Sequence, residues 1–88
     1  MSVLRLRPDA VEWKEIDGEI VALEADTSTY LAANPSGAVL WQALAVGATR
    51  DQLANALASR YGISTETAAG DVDAFVSQLS ARGLLESG

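Results

Sequence analysis

From Val11 to Ile16 apolar and polar residues alternate, with Val11, Trp13 and Glu15 on one side and Glu12, Lys14 and Ile16 on the other. Period-two patterning predicts a β-strand. Asp17-Gly18 follows, and because both positions accept positive φ the pair predicts a two-residue hairpin. Residues 19–25 form the return strand, with Val21, Leu23 and Ala25 as one apolar row. Asp26-Thr27-Ser28 is turn chemistry, and residues 29–33, β-branched and aromatic at their start, predict a third strand. Residues 1–10, which alternate up to Pro8-Asp9, either add a short edge strand or drape over the sheet.

The period changes at Asn34-Pro35. Asn34 suits an N-cap, and Pro35 suits the first helical position, where its missing N–H costs nothing. A first helix then runs to about residue 45, with Val39, Leu40 and Leu44 as its apolar stripe and Trp41 beside it, and Gly47 closes it. Thr49 caps a second helix over residues 50–61, where Leu53, Ala56, Leu57 and Tyr61 share one face, and Gly62 ends it. Ser64 or Thr65 caps a third, whose Val72, Phe75, Val76 and Leu79 recur at i, i+3, i+4 and i+7. Gly83 stops that helix, and Leu84-Leu85 tuck back before an ordinary tail. Gly70 costs about 1 kcal/mol relative to alanine inside a helix, which is expected where another backbone approaches closely. The predicted fold is α+β and winged helix-turn-helix-like: a three-stranded antiparallel β-meander followed by three α-helices. It forms a single domain over residues 1–88 with its core at about 11–86.

Composition narrows the chemistry. The chain has no cysteine and no histidine. A disulfide framework and a thiolate metal site are therefore excluded, and the commonest general base and metal ligand are missing. The hydroxyls of Ser28, Thr29 and Ser36 have no histidine to activate them, and Gly37 and Gly47 punctuate helices rather than cradle phosphate. No catalytic residue, metal or cofactor is expected. The net charge of −6 repels phosphate backbones and anionic membranes and favours cationic partners. A helix-turn-helix invites a DNA-binding reading, but the third helix carries Glu66, Asp71 and Asp73 where a recognition helix needs basic or amide side chains. That acidic surface is either a solvated face or a contact for cationic partner residues. No stretch has the length of a transmembrane helix or the run of a signal peptide, so a cytoplasmic location is expected.

The third strand carries neither charge nor proline, although natural proteins usually blunt open sheet edges with one or the other. Either the third helix covers this short edge, or the edge accepts an extended peptide as a fourth strand, with side-chain pockets formed beside the third helix.

The stretch Tyr30-Leu31-Ala32-Ala33-Asn34-Pro35-Ser36-Gly37-Ala38-Val39-Leu40-Trp41 resembles the PqqD family. So do Gly47-Ala48-Thr49, Leu53 through Tyr61-Gly62, and Asp71-Val72 with Phe75, Leu79 and Gly83-Leu84-Leu85, in that order and spacing. Ala33 departs from the leucine usual before the asparagine and loses some core volume. The resemblance implies a small winged-helix domain that binds the leader segment of a ribosomally made, post-translationally modified precursor peptide (a RiPP). The leader would add a strand at the third strand and lie beside the third helix. The domain would then present it to a separate modifying enzyme or leader peptidase. The short, acidic, alanine-rich helices lean toward the lasso-peptide type, the alternative being a chaperone that delivers a precursor to a radical SAM enzyme. Carried onto this sequence, the peptide-binding residues are Thr29, Tyr30, Leu31, Ala32 and Ala33 on the edge, with Ala69, Val72, Asp73, Val76 and Leu79 on the third helix. The stripe holding Phe75 and Leu79 must also bury that helix.

Overall fold

The computed structural model describes residues 3–33 and 35–87. Strands β1 (Leu4–Leu6), β2 (Val11–Ile16), β3 (Glu19–Glu24) and β4 (Tyr30–Ala33) precede helices α1 (Pro35–Val46), α2 (Arg50–Tyr61) and α3 (Thr65–Ala81), and β5 (Leu85–Ser87) closes the chain. β2, β3 and β4 form the expected antiparallel meander in that spatial order. Asp17 and Gly18 make the hairpin with φ of 53° and 81°, the primed geometry that matches strand twist.

The ends of the chain depart from expectation. β1 pairs antiparallel with β5, Leu4 opposite Ser87 and Leu6 opposite Leu85, in a separate two-stranded sheet. β1 is also held on its other side, where Leu4 and Ala48 exchange backbone hydrogen bonds of 2.8 and 2.9 Å. The lead-in is therefore a structural strand and the tail its partner, and Leu6 belongs to the hydrophobic core. Three-residue strands carry too little period-two signal to be seen in sequence.

The core face of the meander comprises Val11, Ile20, Ala22 and Glu24, all buried. The row of Val21, Leu23 and Ala25 is the outer one. Ala25 lies beyond the end of β3, and Val21 is exposed. Trp13 meets Trp41 edge-on at a ring separation of 6.1 Å, tying the sheet to α1. Beneath lie Leu40 and Leu44 of α1, Leu53 and Leu57 of α2, and Val72, Val76 and Leu79 of α3. Burying each such side chain contributes on the order of 2 kcal/mol.

Helix ends follow local chemistry. Thr49 and Gln52 form a reciprocal capping box on α2, and the Ser64 hydroxyl accepts from the Thr67 amide at the start of α3. Asn34, the cap expected for α1, lies outside the described residues. At Gly70 the expectation fails: an added Cβ would have no neighbour within 4 Å, so no backbone approaches it.

Candidate functional site

Among the described residues, two edges of the meander are free, on β2 and on β4. β2 carries Glu12, Lys14 and Glu15, charges that discourage pairing with another strand. β4 reads Tyr-Leu-Ala-Ala and has no such guard. Its register follows from one bond, in which the Glu24 amide donates to the Thr29 carbonyl at 2.9 Å. Antiparallel alternation carries this pairing to Ala22 with Leu31 and Ile20 with Ala33, while Leu23–Tyr30 and Val21–Ala32 are the non-bonded pairs. The backbone N–H and C=O groups of Tyr30 and Ala32 therefore point away from β3, toward the open edge. Their side chains lie on the outer face, with Tyr30 73% exposed, whereas Leu31 and Ala33 turn inward and are half-buried.

A side-chain network sets the entry to this strand. Ser28 adopts a left-handed φ of 54° and its amide donates to the Glu24 carbonyl at 3.0 Å. The Thr27 hydroxyl donates to the buried Glu24 carboxylate at 2.8 Å, and Arg82, at the end of α3, reaches the same carboxylate at 3.4 Å. Glu24 thus ties β3, the turn before β4 and the end of α3 to one point. Nothing in the sequence distinguished it from the exposed acids around it, because its burial is made tolerable by the Thr27 hydroxyl together with Arg82, which is fifty-eight positions away.

α3 packs on α2 rather than on β4, leaving a groove between helix and strand edge. One end of the groove, of about 390 Å³, is lined by Ala32, Ala33, Ser36, Gly37, Asp71, Ala74, Phe75 and Gln78 among others. The other, of about 180 Å³, shares Ala32, Ala33, Phe75 and Gln78 and adds Leu31, Trp41, Leu79 and Arg82. Of the helix residues expected at the groove, Leu79 lines it but is 5% exposed. Val72 and Val76, each 1% exposed, sit in the core beneath. Asp73 is exposed and turned toward α2, where it pairs with Arg50 at 2.7 Å. Ala69 is exposed and does not line the groove. The wall facing β4 is instead the neighbouring row Asp71, Ala74, Phe75, Gln78 and Arg82.

Among the described residues, no group of three or more acidic side chains is placed to hold a metal ion. No described helix is long and apolar enough to cross a membrane. The arrangement offers strand hydrogen bonds, an apolar floor and charges at its margins.

Fold and groove together define a small winged-helix α+β domain with an uncharged sheet edge, β4, above a helix-walled cleft. The chain belongs to the PqqD family, whose model, described as coenzyme PQQ synthesis protein D, matches residues 19–85. Two solved structures are similar along nearly the whole chain. TbiB1 in complex with the TbiA(beta) leader peptide is 29% identical, with a TM-score of 0.85 over 93% of this chain and 94% of that one. A lasso peptide synthetase B1 complexed with the leader peptide is 28% identical, with a TM-score of 0.80 over 94% and 96%. No curated protein matches this chain.

Proposed function

We propose that this protein is a non-catalytic recognition element for the leader segment of a ribosomally synthesised precursor peptide, acting in the cytoplasm within a lasso-peptide pathway. The leader adds a fourth strand to the meander at β4, bonding to the backbone groups of Tyr30 and Ala32. Its inward side chains enter the groove between β4 and α3. Backbone pairing supplies affinity without reading sequence, and the groove supplies selectivity. The protein then presents the bound leader to a separate maturation enzyme, a leader peptidase.

The observation that carries this reading is the uncharged open edge of β4 above a formed groove, in a chain similar over nearly its whole length to two proteins solved with leader peptides. Thr29 to Ala33 keep the edge role. On α3, Leu79 is joined by Ala74, Phe75 and Gln78, while Ala69, Val72, Asp73 and Val76 support the fold or face elsewhere. Similarity to a lasso peptide synthetase B1 favours the lasso type over a chaperone for a radical SAM enzyme.

The test is titration of fluorescently labelled leader peptides, taken from precursors encoded beside this protein, monitored by anisotropy. Saturable binding is expected in the micromolar range, and no binding by any leader at ~100 μM, about −5.5 kcal/mol, would refute the proposal.

A further inference from the structure

The groove differs from end to end. Resting on the strand-addition reading above, we infer that its larger end is a subsite for a basic peptide side chain, selected by Asp71. That basic residue sits at an even spacing from an apolar residue held in the smaller end.

Three observations place the charge. Asp71 is exposed, lines the larger end and has no ion-pair partner among the described residues. Asp73, only two positions on, is committed to Arg50 on the opposite flank of the helix. Arg82, the cation nearest the groove, is engaged by Glu24 at the smaller end. Asp71 and Arg82, the residue that caps α3, are eleven positions apart, about 16 Å along the helix axis. That exceeds the screening length of roughly 8–10 Å at physiological salt, so Arg82 does not neutralise Asp71. The start of α1, with Ser36 and Gly37, also borders the larger end. Its dipole is worth at most about half a positive charge, less than the full carboxylate opposite it. The site therefore stays net negative, in a chain of net charge −6.

The smaller end is built differently. Trp41, Leu31, Phe75 and Leu79 line it, with Gln78 and the Glu24-paired Arg82 beside them, so that its apolar part suits an apolar side chain. A peptide paired with β4 turns alternate side chains toward the helices, so two residues that both enter the groove are separated by two or four positions, never by an odd number.

The experiment is selection from a displayed library of random ten-residue peptides against the wild-type chain, Asp71→Asn and Asp71→Lys. Asp71 is exposed, and these variants are expected to keep the wild-type circular dichroism and melting curve. The wild type is expected to enrich Lys or Arg two or four positions from an apolar residue, always in the same order along the peptide. Asp71→Asn should lose that preference, and Asp71→Lys should replace it with Asp or Glu. For a selected peptide, Lys→Ala should weaken binding to the wild type about two- to fivefold and leave binding to Asp71→Asn unchanged. Enrichment without a basic preference, with odd spacing, or with an unchanged preference in Asp71→Lys overturns the subsite while strand addition stands. Failure to enrich any peptide overturns both.

Discussion

Ala32→Pro separates the edge from the fold that carries it. The Ala32 amide points away from β3, so the substitution removes no bond of the β3–β4 ladder. The side chain is exposed, and proline is tolerated on an edge strand whose N–H faces solvent. Its fixed φ departs from an ideal strand value, which should cost at most about 1 kcal/mol of stability. Binding is affected more. One strand hydrogen bond, worth about 1 kcal/mol net, is lost, and the peptide carbonyl left facing the proline ring costs about 1 kcal/mol more. The sum of roughly 2 kcal/mol corresponds to about a thirtyfold weaker leader affinity. Leader anisotropy titrations, run beside urea denaturation of the same preparations, read both quantities. Leu31→Pro is the contrasting variant, because its amide lies on the ladder side, and it should cost about 3 kcal/mol of stability. If Ala32→Pro folds and binds leader like the wild type, strand addition at β4 is wrong.

Three further substitutions test the packing around the groove. Val76→Ala should lower stability by about 2 kcal/mol in urea unfolding, by cavity formation, while leader affinity of the folded fraction stays within about twofold. Gly70→Ala should raise stability by about 0.5–1 kcal/mol, about 4 °C in melting temperature, since the new methyl meets no neighbour within 4 Å. Arg82→Ala leaves the buried Glu24 carboxylate with the Thr27 hydroxyl as its one side-chain partner among the described residues and should cost about 1–2 kcal/mol. Adding Glu24→Gln to Arg82→Ala should recover part of that loss in the same unfolding assay.

The meander and the three helices were legible because each carries its own local signal. Asp17-Gly18 dictates the hairpin, Thr49 starts α2, and Val72, Val76 and Leu79 recur at helical period. The β1–β5 sheet was not legible, because its two strands are separated by nearly the entire chain and gain stability only when packed together. The uncharged edge of β4 was readable from composition, but the groove wall was not. An amphipathic helix reveals its buried stripe, which is why Val72 and Val76 stood out. It does not reveal which flanking row faces the sheet and which faces the next helix. Asp73 and Asp71 lie on those two flanks, and only tertiary packing sends the first to Arg50 and the second to the groove.

That division of charge bears on how a protein keeps a sheet edge open without pairing with itself. An uncharged edge strand is a template for any other strand, including β4 of a second copy. Two copies meeting there would bring together two chains of net charge −6, with Asp71, which has no ion-pair partner among the described residues, beside each edge. Repulsion between such surfaces opposes association at moderate ionic strength. A peptide with a basic residue over Asp71 is attracted instead. The same acidity that argues against a nucleic-acid partner for this winged-helix scaffold thus also opposes homotypic pairing and favours leaving β4 open to a different chain.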